Sequence, residues 1–143
     1  MKLFDTARGG IFPLEAGPTV TMYSCGITPY DSAHLGHAFV YLAFDVLQRR
    51  LRDAGHDTRC VRNVTDVDDS ILPKARELGV PFLELAEAEL NRFRRDMTQL
   101  GMRPAHAEPR ATETIDRIIA MVEQLLDSGH AYLTAGTAYF DVS

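Results

Sequence analysis

A chain of 143 residues leaves room for one domain or part of one, and a hydrophobic share of 45% suits a globular core. A net charge of −5 excludes a chain built as a basic nucleic-acid module, though not local contact with RNA. No apolar run reaches membrane-spanning length and the Met1–Asp5 start lacks a signal-peptide core, so the expectation is a soluble, cytoplasmic protein.

Leu3–Phe4 and Ile11–Phe12 flank Gly9-Gly10 and read as a β-hairpin. Thr19 to Ser24 alternates weakly and reads as a buried strand. It runs into Cys25-Gly26-Ile27-Thr28-Pro29-Tyr30-Asp31-Ser32-Ala33-His34-Leu35-Gly36-His37. Strand, glycine turn and helix start are where an α/β nucleotide-binding fold keeps its phosphates. Asp31 or Ser32 is the expected helix cap. His34 and His37, three apart on a helix, share a face and can address one spot above its N-terminus.

From Ala38 to Ala54 the apolar residues lie almost all round, which predicts a central buried helix ended by Gly55. Arg49, Arg50 and Arg52 near its end read as a solvated face favoured by the helix dipole, with phosphate contact as the other reading. Asp57 to Asn63 is the next strand, completing a βαβ unit with parallel strands and a right-handed crossover. Cys60 in that strand reads as core, and no disulfide with Cys25 is expected in a reducing cytosol.

Asn63-Val64-Thr65-Asp66-Val67-Asp68-Asp69 follows the strand, on the edge where open α/β sheets bind ligands. Its three acids either hold an ammonium group or order a loop and helix N-terminus. A short helix over 70–78 leads to Gly79 and Pro81. Phe82, Ala86, Leu90, Phe93, Met97 and Leu100 form one amphipathic stripe, stopped by Gly101. Residues 102–111, with Pro104 and Pro109, read as a loop. Ile115, Ile118, Ile119, Val122, Leu125 and Leu126 form a second stripe, started by Thr112 or Thr114. Both stripes are expected to be core. Ala131–Leu133 and Ala138–Phe140 flank Ala135-Gly136 as a closing hairpin.

With these landmarks in place, Cys25-Gly26-x-Thr28-x-Tyr30-Asp31 and His34-Leu35-Gly36-His37 resemble the N-terminal half of cysteinyl-tRNA synthetase, a class I synthetase. Asn63-x-Thr65-Asp66-Val67-Asp68-Asp69, Pro109-Arg110-Ala111-Thr112-Glu113 and Gly129-His130-Ala131-Tyr132 leading to Tyr139-Phe140-Asp141 add to the likeness. A sister family is similar too: the ligase joining cysteine to an aminosugar in mycothiol synthesis. Cys25-Gly-Ile-Thr-Pro-Tyr-Asp, His34-Leu-Gly-His-Ala and Phe93-x-x-Asp96-Met97 lean to that ligase, and Pro109–Glu113 leans to the tRNA synthetase.

The resemblance implies the first half of a Rossmann-like (HUP-type) parallel-sheet domain, with an inserted connective segment starting near residue 104. It implies that ATP, with Mg2+, and cysteine react to cysteinyl-adenylate, which is then ligated to tRNA(Cys), or alternatively to an aminosugar. His34 and His37 take the catalytic role; Tyr30, His34, Gly36 and His37 hold ATP, Gly36 leaving bare backbone for adenine or ribose. Gly26, Thr28 and Thr65 hold cysteine, and Cys25 is one ligand of a zinc ion that selects the substrate thiolate. His56, His106 and His130 do not match the family's other zinc ligands. The only lysines, Lys2 and Lys74, stand outside the family's second, lysine-bearing signature, so the second half of the fold is expected to be absent. A free sheet edge would then favour self-association. Two further readings are a synthetase-like binding module without turnover and a nucleotidyltransferase using His34 and His37.

Overall fold

The computed structural model describes residues 1–143. Strand β1 (Lys2–Asp5) pairs antiparallel with β2 (Gly10–Pro13), as the Gly9-Gly10 turn predicts. Strand β3 (Thr19–Ile27), helix α1 (Leu35–Asp53) and β4 (Asp57–Val64) form the βαβ unit, and β3 pairs parallel with β4. Helices α2 (Ile71–Leu78), α3 (Phe82–Gln99) and α4 (Ile115–Asp127) follow in turn. The hairpin of β5 (Ala131–Thr134) and β6 (Thr137–Phe140) closes the chain. Its Ala135-Gly136 turn has both φ angles positive, 48° and 81°, the mirror-image turn that suits strand twist.

The main core lies where α1 and α3 pack on the two parallel strands. Ile27, Ala38, Tyr41, Val64, Leu90, Phe93 and Met97 form one buried cluster. Tyr41 meets Phe93 edge to face with ring centroids 5.1 Å apart. Each large apolar side chain buried here contributes about 1.5–3 kcal/mol. A smaller cluster, Ile71, Ala75, Leu85 and Ala86, joins α2 to α3.

Several sequence expectations need correction. The cap of α1 is His34, because the chain stays non-helical through residue 34; Asp31 instead accepts its neighbour's Ser32 N–H at 2.7 Å. Helix α1 is not buried all round. Ala38, Tyr41, Asp45, Gln48 and Leu51 form a single buried stripe, while Phe39 is 76% exposed. A two-stranded sheet covers only one side of a helix. For the same reason β3 is not a buried strand: its burial alternates, with Ser24 and Ile27 inside and Tyr23 65% exposed. The stripe of α4 is not core. No α4 residue is buried and Ile119 is 51% exposed, since its main neighbour is the narrow β5–β6 hairpin.

Two structural roles were hidden. Residues 102–111 are more than a loop: His106 N donates to Cys60 O, Arg62 N to Ala107 O and Val64 N to Pro109 O, at 2.8, 3.1 and 2.8 Å. They run as a parallel third rail on β4, bridged at Val61–Ala107 and Val64–Arg110; Pro104 and Pro109 keep it from reading as a strand. Of the three arginines near the end of α1, two are clamps. Arg49 bonds Asp45 at 2.7 Å and the Gly101 carbonyl at 2.6 Å, and Arg52 bonds the Thr58 hydroxyl at 2.7 Å.

Candidate active site

At the carboxyl ends of β3 and β4 the ladder slips. Ser24 faces Arg62 and Ile27 faces Val64, so Cys25 and Gly26 together oppose Asn63. Such a bulge bends the strand and leaves backbone groups without a ladder partner. The Asn63 side chain supplies one: its Oδ1 accepts the Gly26 N–H at 2.8 Å and the Tyr23 hydroxyl at 2.8 Å. Its Nδ2 donates to Thr65 Oγ1 at 3.0 Å. The strands approach so closely that a Cβ on Gly26 would sit 1.4 Å from the Asn63 carbonyl oxygen, which only glycine tolerates. The Thr65 N–H donates to Ile27 O at 2.9 Å and folds the next loop back against β3.

Between β3 and α1 the chain is pinned at both ends. Pro29 is fully buried, Thr28 is half-buried and its carbonyl accepts the Tyr30 N–H at 3.0 Å. Arg92 on α3 donates to Ser32 Oγ at 2.7 Å. The Tyr30 ring is exposed.

His34 and His37 then close the helix start as a reciprocal cap. His34 Nδ1 accepts the Gly36 N–H at 3.1 Å, and His37 Nδ1 accepts the His34 N–H at 3.2 Å. The rings stack with centroids 3.9 Å apart. Because each Nδ1 is an acceptor, the proton of each neutral ring sits on Nε2. The pair therefore offers two N–H donors at a helix N-terminus, whose dipole favours anions. Burial, and then the neighbouring His34, hold His37 below the ordinary imidazole value. A Cβ on Gly36 would meet the His34 ring at 2.9 Å, so the bare backbone there accommodates that ring in this conformation.

Under the bulge, burial and then the neighbouring Cys25 push the Tyr41 phenol up to about 12, against the pull of Arg62. Tyr41 thus stays a neutral phenol. The acids of the loop after β4 order the chain. Asp66, 1% exposed, accepts the Thr112 N–H at 3.0 Å and its hydroxyl at 2.7 Å. Arg110 lies 3.9 Å from Asp66 and bonds Glu87 on α3 at 2.6 Å. Asp68 accepts the Ser70 hydroxyl and N–H at the start of α2, which hold its carboxyl below the usual range.

The structure thus gathers Cys25, Gly26 and Thr65 at the bulge, and His34, Gly36 and His37 at the helix start, joined by a loop carrying Thr28 and Tyr30. Sequence reasoning missed Asn63, Tyr23 and Arg92 as parts of this arrangement. An amide at the very end of a strand, beside a cysteine–glycine pair in the neighbouring one, was the available signal for Asn63.

A family model described as the tRNA synthetases class I (C) catalytic domain matches residues 12–143. This chain belongs to that family. Solved class I synthetases share its α/β fold. Mycobacterium tuberculosis methionyl-tRNA synthetase in complex with methionyl-adenylate superposes with a TM-score of 0.73 at 22% identity, over 82% of this chain and 23% of that one. The Agrobacterium radiobacter K84 agnB2 LeuRS in a ternary complex gives a TM-score of 0.68 at 18% identity, over 82% of this chain and 16% of that one.

Among curated relatives, an L-cysteine:1D-myo-inositol 2-amino-2-deoxy-alpha-D-glucopyranoside ligase of Parafrankia sp. (strain EAN1pec) is 49% identical over 100% of this chain and 32% of its own length. The ligase of the same name from Mycolicibacterium smegmatis is 46% identical over 99% of this chain and 34% of its own. The chain spans about a third of the length of the curated relatives it matches.

The zinc ion expected at Cys25 does not fit this synthetase domain's residues alone. The exposed Cys25 has no companions: nowhere do three His, Cys, Asp or Glu side chains gather as a metal site, and about three protein ligands are the usual need. Cys60 is buried with its Sγ 4.0 Å from Ser24 Oγ. His56 and His130 place Nδ1 against the carbonyl oxygens of Gly17 and Ser128. No helix is long and apolar enough to cross a membrane.

Proposed function

We propose that this chain is the N-terminal part of the catalytic domain of an ATP-dependent ligase that activates cysteine. The connective segment then begins near residue 104. In the reaction, the cysteine carboxylate attacks the α-phosphorus of ATP, pyrophosphate leaves, and cysteinyl-adenylate forms. The carboxylate is already a nucleophile, so the protein's work is positioning and charge stabilisation. His34 and His37 donate from Nε2 to the phosphate oxygens, with the α1 dipole behind them. Tyr30 and Gly36 take the adenosine side, and ATP enters with its Mg2+. Gly26, Thr28 and Thr65 hold the amino acid. The observation that carries this reading is the reciprocal cap, which spends both Nδ1 atoms and leaves both Nε2–H donors for a ligand.

For the acceptor we favour an aminosugar over tRNA. The relatives at 46% and 49% identity are named as ligases of cysteine with an aminodeoxyglucopyranoside. The motif that leans towards tRNA, Pro109–Glu113, spends Arg110 and Thr112 on Glu87 and Asp66; packing accounts for it without an acceptor. The test is exchange of labelled pyrophosphate into ATP by the complete protein carrying this sequence. Exchange should depend on cysteine and not on serine. Adding the aminosugar should then consume the adenylate as an amide, and adding tRNA(Cys) should not. Cysteine-dependent exchange followed by tRNA charging would restore the tRNA reading. A folded protein that binds cysteine without exchange would be a binding module, and exchange indifferent to cysteine would point to a nucleotidyltransferase.

A further inference from the structure

We propose that Asn63 is a positioning residue of the site, setting the Cys25–Gly26 bulge and the Thr65 hydroxyl against one another. The inference rests on the cysteine-activating reading for its consequence, but on the bulge geometry for its origin. A bulge of two residues against one is rare between parallel strands. The bulge takes Gly26 out of the ladder register, and Asn63 Oδ1 accepts its N–H at 2.8 Å. The same amide turns its Nδ2 to Thr65 Oγ1 at 3.0 Å. One planar group thus fixes both walls, and the Tyr23 hydroxyl, donating to Oδ1 at 2.8 Å, fixes which way that group faces.

The chemistry required is narrow. The position needs an acceptor towards Gly26 and a donor towards Thr65 at a fixed separation. Aspartate keeps the acceptor and loses the donor, so Thr65 must turn its own proton towards residue 63. Leucine has neither group. Asn63 acts through its neighbours and need not touch the substrate.

The test uses the complete protein and three variants, Asn63→Asp, Thr65→Val and the double change, with Asn63→Leu as a structural control. For Asn63→Asp, kcat/KM for cysteine in pyrophosphate exchange should fall by about tenfold, while KM for ATP stays within about twofold. On a Thr65→Val background the Asn63→Asp change should add less than about twofold, the mark of action through Thr65. Losses that simply multiply, or an equal rise in KM for ATP, would overturn the proposal. If the wild type shows no cysteine-dependent exchange, the activating reading fails, and amide hydrogen exchange at Gly26 decides the positioning claim. Protection kept in Asn63→Asp and lost in Asn63→Leu supports it; equal protection in both overturns it. Should Asn63→Leu fail to fold, Tyr23→Phe takes its place, with a partial loss of Gly26 protection expected and unchanged protection counting against the proposal.

Discussion

At His34 and His37 the backbone has already claimed one nitrogen of each ring, and this separates their structural work from the chemical role proposed for them. An asparagine side chain can accept a backbone N–H as Nδ1 does, but it has no Nε2–H at the ring's far edge. His37→Asn and His34→Asn should therefore keep the helix start and lose the donors. The expected result, by pyrophosphate exchange in the complete protein, is a loss on the order of 100-fold for His37→Asn with an unchanged melting temperature. A loss under about threefold would remove His37 from the reaction. His34→Ala, which loses the cap as well, should cost about 1 kcal/mol of stability in urea unfolding. The lowered pKa of His37 adds a pH signature. The unfolded chain takes up the proton first as pH falls through about 6.5, so His37 costs the fold nothing above that value and progressively more below it. Urea midpoints between about pH 8 and pH 5 should fall on the acid side, and His37→Asn should flatten that slope. The pairing of the two histidines was readable from their spacing, but they meet as cap and third helical residue and not as one helix face, since His34 is extended; the tautomer was not readable, because it depends on which backbone N–H each ring finds.

Among the elements, periodicity announced α3 and α4, and Gly9-Gly10 and Ala135-Gly136 placed the two hairpins. What periodicity cannot state is whether a partner covers an apolar face. Phe39 on α1 and Ile119 on α4 belong to convincing apolar runs and both stand exposed, because each helix is covered on one side alone. The third rail beside β4 was equally hidden, since its prolines break the strand pattern while its backbone still pairs. That rail is fastened by a side chain as well as by its backbone bonds to β4. Asp66 holds Thr112 through two hydrogen bonds in a buried setting, and hydrogen bonds to a charged acceptor contribute about 1.5–3 kcal/mol. Asp66→Ala should lower stability by about 3 kcal/mol and raise hydrogen exchange at residues 107–112. Asp66→Asn, which keeps one acceptor, should cost less. Equal stability of Asp66→Ala and wild type would mean that the rail is held by its backbone bonds alone.

Across the whole molecule, burial is concentrated in one part of the chain. Every residue of the two apolar clusters lies between Ile27 and Met97, contributed by β3, α1, β4, α2 and α3. Neither β1–β2 nor the α4, β5 and β6 group contains a buried residue, and the stacked Tyr132 and Tyr139 rings, 5.7 Å apart, remain exposed. Opening free energy follows buried apolar contact, so such segments open before the core does. Hydrogen exchange on the 143-residue chain should therefore be graded. Amides of β3, β4, α1 and α3 should be the slowest, and those of residues 115–143 faster by about two orders of magnitude or more. Trypsin at low dose should cut first within α4, at Arg117, and spare Arg52 and Arg62, whose side chains are held by Thr58 and by Glu108. Uniform protection across both parts would mean that the α4 group is tied to the core by contacts stronger than its exposure implies. Graded protection would leave the α4 group free to reposition while the bulge, the histidine cap and α3 stay fixed, since Arg92, Asn63 and the Tyr41–Phe93 contact all belong to the slow part.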